Sequence, residues 1–168
     1  MTSYQIQGPW RGQLAIVPRP RGGEWLEDEV RAWKDEGFDV VVSLLTADEI
    51  RELGLAREAE LSMSLGLQSC EFPIPDLGVP QSMTATQEFL GKLDQALAAG
   101  KRVAIHCRQG IGRSGLIAAS ILVVSGLDPE TALRRVGAAR GLSVPETPEQ
   151  SVWVVKLARE FAAPVARG

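Results

Sequence analysis

One cysteine, Cys107, stands six positions before an arginine, Arg113, in the stretch "RVAIHCRQGIGRSGL". The same stretch holds the only histidine of the chain, His106, and three glycines, Gly110, Gly112 and Gly115. A thiolate is a nucleophile and a guanidinium is a planar fork for two oxygens of a phosphate. Between them, glycines let backbone N–H groups turn inward as a nest for an anion. A helix opening near Ser114 would add the partial positive charge of its N-terminus. Dipoles and cation together favour thiolate over thiol at Cys107. The chemistry that fits is attack of sulfur on phosphorus, giving a phosphocysteine that water later hydrolyses.

Such a loop needs a strand before it and a helix after it, and the sequence supplies both. "RVAIHC" reads as a strand and "SGLIAASILVVSG" as an apolar, buried helix. "QLAIVPRP" is a short strand stopped by Pro18 and Pro20, and "DVVVSLL" has the continuous β-branched run of a strand buried on both faces. Trp25, Leu26, Val30 and Trp33 recur at helical spacing before Gly37. Thr46 N-caps "ADEIRELG", and Glu49 completes a capping box. A helix over about 56–65 follows, then the strand "LQSCEFPIP" and the loop "PDLGVP". Helices are predicted over 82–99, 131–139 and 148–162, with the final "APVARG" frayed. Strands alternating with helices predict an α/β domain: a mainly parallel sheet of about four to five strands, flanked by helices on both faces. In such sheets ligands sit at the carboxyl ends of the strands, where Cys107 lies.

"HCRQGIGRSG" resembles the signature loop of the cysteine-dependent protein tyrosine phosphatases, His-Cys-x5-Arg-Ser/Thr-Gly, and is most similar to the small dual-specificity branch. The resemblance implies Cys107 as nucleophile and Arg113 as the group that stabilises the transferring phosphoryl. It implies a phosphate loop of Arg108, Gln109, Gly110, Ile111, Gly112 and Arg113. Ser114 would donate a hydrogen bond to the sulfur, and His106 would order the loop through its ring. The family also needs a general acid on a separate loop. Asp76, 31 positions before Cys107 in "FPIPDLGVP", fits it, which extends the similarity over roughly 67–125. "RGLSVPETPEQ" resembles a segment that positions the hydrolytic water in some branches, which points to Gln150. Asp48 and Glu49, the rival acids, are explained by the capping box. Arg108 is either a rim cation or a solvated side chain. Cys70 is either core packing or a resolving cysteine for an oxidised Cys107.

With 168 residues, one domain over 1–168 is expected. The net charge of −3 excludes the basic surplus of a nucleic-acid binder, so a phosphate must be drawn by local charge. Two cysteines are too few for a disulfide framework, no signal peptide is visible, and no apolar run spans a bilayer. These features point to the cytoplasm, with no membrane or nucleic-acid partner and no metal or other cofactor. A cysteine protease lacks its base, because His106 neighbours Cys107 on a strand and points to the other face. No familiar zinc spacing and no G-x4-G-K-[ST] motif is present. The resemblance implies a protein phosphatase acting on phosphotyrosine and on phosphoserine or phosphothreonine. A phosphoinositide phosphatase and a phosphopeptide-binding pseudophosphatase stand as alternatives.

Overall fold

The computed structural model describes residues 1–162; the expected fraying of 163–168 lies outside them. Strands and helices follow in the order β1 (Tyr4–Ile6), β2 (Gln13–Ile16), α1 (Leu26–Asp35), β3 (Val40–Ser43), α2 (Ala47–Glu52), α3 (Glu58–Ser64), β4 (Gln68–Glu71), α4 (Met83–Ala98), β5 (Arg102–His106), α5 (Gly112–Val124), α6 (Pro129–Arg140) and α7 (Pro148–Ala162). The sheet runs β1-β2-β5-β3-β4. All its pairings are parallel except β1 with β2.

The alternation of side chains along a strand divides the core in two. Val40, Val42, Val103, Ile105 and Cys107 face a core shared with Leu90, Leu97, Ile117, Ile121, Val136 and Leu157 of α4–α7. Val41 and Ala104 face the opposite core, with Leu26, Val30 and Trp33 of α1 and Leu61 of α3. The register continues past the end of β5, so His106 and Cys107 fall on opposite faces of the sheet. α5 is buried over 112–123 and carries almost no polar face, which is why its sequence reads as one apolar run.

The structure departs from the sequence expectations in three places. β1 has no strand signal of its own; its three residues pair antiparallel with β2 at the sheet edge. Trp25, counted in the helical repeat, is exposed beneath the Arg21 guanidinium, because it belongs to a 3-10 turn over Gly23–Trp25 that precedes α1. α5 opens at Gly112 rather than near Ser114, which places Arg113 within its first turn.

Candidate active site

β5 delivers the candidate nucleophile. Cys107 is 2% exposed, and its Sγ accepts a hydrogen bond from the Gly110 N–H at 3.2 Å. Gly110 has φ +73°, a left-handed conformation that costs glycine little and lets the loop curl back over the sulfur. On the other face the His106 ring is fully buried, stacks on Trp33 with centroids 5.7 Å apart, and shares a 2.8 Å hydrogen bond with Glu58 Oε2. The helices of the far core thereby anchor the residue that precedes the nucleophile. The expected bond from Ser114 to the sulfur is not made. Ser114 Oγ is buried with no partner among the described residues, and the donor to Sγ is the Gly110 amide instead.

Arg113 is 2% exposed and held by a partner that the local sequence hides. Its Nη1 donates to Glu49 Oε1 at 2.7 Å and to the Ile74 carbonyl at 2.9 Å, and its Nη2 donates to Glu49 Oε2 at 2.9 Å. Glu49 does close the capping box with Thr46, as expected, and also fixes Arg113 across 64 residues. A guanidinium has five N–H donors in one plane. Glu49 and Ile74 take three of them, which leaves the Nε–Nη2 edge facing the pocket. Asp76 Oδ1 lies 3.1 Å from Nη2 on that edge. Burial pulls the Arg113 pKa down, but the hydrogen bond and charge of Glu49 outweigh it and hold the pKa above its ordinary value.

The Arg113 hydrogen bond is also the largest influence on Glu49, whose pKa falls from 4.5 to about 2 against the effect of burial. A carboxylate with a depressed folded pKa stabilises the fold fully above its unfolded value. That contribution is lost as pH falls through the folded value. Parent and Glu49→Gln should therefore differ most in unfolding free energy above about pH 4.5, by about 3 kcal/mol for breaking a buried ion pair. The gap should shrink as pH drops toward 2. Denaturant titrations across that range measure it, and a pH-independent gap would show that Glu49 contributes by packing alone.

A pocket of ≈ 260 Å³ is lined by Asp76, Leu77, Cys107, Gln109, Arg113 and Glu146. The expected nucleophile, cation and acid therefore share one concavity. Leu77 has φ +62°, a strained conformation for a branched side chain, and stands 54% exposed beside Asp76. Arg108 does not line the pocket. Its Nη1 lies 3.5 Å from Glu52 Oε2 and 3.7 Å from Glu49 Oε2, turned toward α2. Ile111 packs against the core, and the Gly112 N–H donates to Glu146 Oε1 at 3.2 Å.

Gln150 is fully buried, its Oε1 accepts from the Glu146 and Thr147 N–H groups, and its Nε2 donates to the Gly78 carbonyl. It braces the 146–147 turn against the Asp76 loop, with its amide beside Gly112 of the cradle. Of the two readings of Cys70, the geometry favours packing. The cysteine lies two strands from β5 and two residues behind Cys107 in register, roughly 12 Å away at ordinary strand spacing. A disulfide needs its Cα atoms within about 7 Å. Burial also raises the Cys70 pKa, so this cysteine packs the core.

Sequence reasoning missed Glu58, Arg140 and Glu146. Arg140 donates from Nε to the Gly110 carbonyl at 2.7 Å, with its guanidinium carbon 4.0 Å from the centroid of the Tyr4 ring. In a trans peptide the carbonyl and the following N–H point oppositely. Holding the Gly110 carbonyl outward therefore fixes the Ile111 N–H inward. None of the three has a local signal except Glu146, which stands four residues before Gln150 in "PETPEQ".

Over the whole chain the fold is close to that of kinase associated phosphatase, solved with its catalytic cysteine replaced by serine. The TM-score is 0.89 at 20% identity, with 97% of each chain covered. Tk-PTP in its active form superposes at TM-score 0.73 with 31% identity, covering 94% of this chain and 96% of its own. Among curated relatives, putative tyrosine phosphatase 197R of Invertebrate iridescent virus 6 is 37% identical over 153 residues, covering 88% of this chain and 53% of its own length. Cyclin-dependent kinase inhibitor 3 of Rattus norvegicus is 25% identical over 140 residues, covering 82% and 66%. The chain thus spans between about half and two thirds of these curated relatives. The model of the polymorphic toxin system DSP-PTPase phosphatases matches residues 17–127, from the end of β2 to the end of α5. That segment carries the Asp76 loop and the whole Cys107–Arg113 cradle, and by this match the chain belongs to the DSP-PTPase family of cysteine-based dual-specificity phosphatases.

Proposed function

We propose that the chain is a single catalytic domain that hydrolyses phosphate monoesters on protein through a phosphocysteine at Cys107, accepting phosphotyrosine and also phosphoserine or phosphothreonine. The observation that carries this reading is the unspent Nε–Nη2 edge of Arg113 opening on the same pocket as Cys107. Two phosphoryl oxygens bind that edge and the remaining oxygen charge meets the loop N–H groups. Sγ attacks phosphorus from the pocket floor, and the ester oxygen leaves toward the mouth. Asp76, at the mouth and 56% exposed, gives up its contact with Arg113 Nη2 to the phosphate and delivers a proton to the leaving oxygen. Ser114 Oγ, unpartnered beside the loop, is the group available to bond the sulfur when it leaves in the second step. Arg140 holds the cradle open, and Gln150 fixes the two loops that form its walls. The cradle supplies its own positive charge, so no metal or other cofactor enters the scheme.

Several features favour a protein monoester over a phosphoinositide. The one extra cation of the loop, Arg108, is turned to Glu49 and Glu52, and two carboxylates line the pocket, an unfavourable setting for several phosphates on one ring. Exposed Leu77 at the mouth offers an apolar contact for the group bearing the phosphate. A binding-only role is disfavoured because Cys107, Arg113 and Asp76 converge on one pocket. Two free thiols suit the reducing cytoplasm, where we place the protein. Among the described residues, no helix is long and apolar enough to cross a membrane.

Asp76→Asn tests the scheme. General acids contribute about 10²–10⁴ in rate. The variant should lose activity of that order on phosphoserine peptides and far less on an activated aryl phosphate, whose leaving group hardly needs the proton. Equal losses on both substrates would place the acid elsewhere.

A further inference from the structure

Two carboxylates line the pocket, and each holds a donor of the cradle. Asp76 Oδ1 lies 3.1 Å from Arg113 Nη2, and Glu146 Oε1 accepts from the Gly112 N–H at 3.2 Å. The two donors belong to the first two residues of α5. Two side chains thus bring oxygens to the donors that one tetrahedral anion would use. Asp76 gives up its contact to serve as acid. The Glu146 contact belongs to the cradle itself, and it requires glycine at 112, since a Cβ there would stand 2.9 Å from that oxygen.

Backbone and carboxylate of Glu146 are held differently. Its N–H, and that of Thr147, donate to the buried Gln150 Oε1, and Gln150 Nε2 donates to the Gly78 carbonyl, so the backbone is tied to the core. For the carboxylate, the Gly112 N–H is the one hydrogen-bond partner among the described residues, and the residue is exposed. The side chain can therefore swing into water with little loss of packing. A loop N–H aimed into a pocket costs free energy when it has no acceptor. The carboxylate meets that need and keeps the amide turned inward. The same oxygen competes with a phosphoryl oxygen for the amide, and its charge repels the anion.

We propose that Glu146 is a resident anion of the cradle, filling one phosphoryl-oxygen position until a tetrahedral anion displaces it, and so setting how weakly the pocket holds phosphate. This rests on the reading that the Cys107–Arg113 loop binds phosphate. The role matters most at the end of the reaction, when inorganic phosphate and the carboxylate compete for one amide and product leaves more readily. Removing the charge of Glu146 strengthens the binding of a tetrahedral anion. Protonating it has the same effect, so the difference between carboxylate and neutral side chain is lost in acid.

Titration of inorganic sulfate followed by amide NMR tests this in Cys107→Ser protein, with and without Glu146→Gln. Sulfate is a tetrahedral dianion that takes up no proton in the range used, and the serine background removes the titrating sulfur. Asp76 and Arg113, the other charged groups facing the anion, and Glu49 behind Arg113 are common to both proteins. Glutamine keeps an acceptor for the Gly112 N–H and removes the charge. At pH 7 the Glu146→Gln protein should bind sulfate about 10-fold more tightly, the effect of one like charge on an exposed wall. The gap should close as pH falls through the ordinary glutamate range, about 4.3. Glu149→Gln removes the same charge from the first turn of α7, outside the pocket lining, and should leave affinity unchanged. Equal or weaker affinity in Glu146→Gln, or the same gain from Glu149→Gln, overturns the resident-anion role. Sulfate that shifts no amide of residues 107–113 in any of the proteins overturns the phosphate-cradle reading instead.

Discussion

Replacing Cys107 with serine should abolish turnover while leaving the fold and phosphate binding in place. The two side chains differ by one atom, and Cys107 is buried among Val42, Ile105 and α5, so packing changes little. What changes is the nucleophile. The Gly110 N–H donates to the sulfur at 3.2 Å, and sulfur is a far stronger nucleophile than a serine hydroxyl in the same place, which stays protonated at neutral pH. The loss should be on the order of 10⁴-fold or more in kcat. Aryl phosphate hydrolysis measures it. A vanadate-dependent rise in melting temperature, retained in the variant, shows that the cradle survives. A serine variant with parent activity would contradict a nucleophilic role for Cys107.

Arg113→Lys should be nearly as damaging, although the charge is kept. The parent side chain uses one edge of its plane for Glu49 and leaves the adjacent edge, the proposed phosphate edge, open to the pocket. An ammonium ion is a point charge and cannot serve two planar, bidentate partners at once. Loss of preorganised donors to a transition state costs about 10²–10³ each, so kcat/KM should fall by about 10³-fold or more. Because the same edge binds ground state and transition state, vanadate affinity should fall with it. Thermal stability should fall as well, since Glu49 would keep only part of its partner. Parent-like vanadate affinity in the lysine variant would show that phosphate does not use this edge.

Much of this was legible in the sequence because it is local. The capping box at Thr46, the β-branched run of β3, and the strand–glycine–helix setting of Cys107 each lie within a dozen residues. The alternation of a strand also separates His106 from Cys107 without any structure. What escaped depends on distant partners. Glu49 had a sufficient local explanation as a helix cap, and nothing near it in sequence shows that Arg113 lies against it. Arg140 and Glu58 act on the loop from α6 and α3, across 30 and 48 residues. β1 is three residues at an edge and exists only because β2 is there to pair with it. Gln150 was singled out, but its backbone partners were not. Its burial and its bonds to Glu146, Thr147 and Gly78 follow from how α7 docks, which no spacing rule encodes.

The central claim is a covalent bond between Cys107 and phosphorus. Mixing the protein with a labelled phosphotyrosine peptide, quenching in acid within milliseconds and mapping peptides by mass tests it directly. One phosphoryl group on the Cys107 peptide, formed before free phosphate appears and missing from Cys107→Ser, is the expected result. Full turnover with no modified Cys107, or with phosphate carried on another residue, would contradict it.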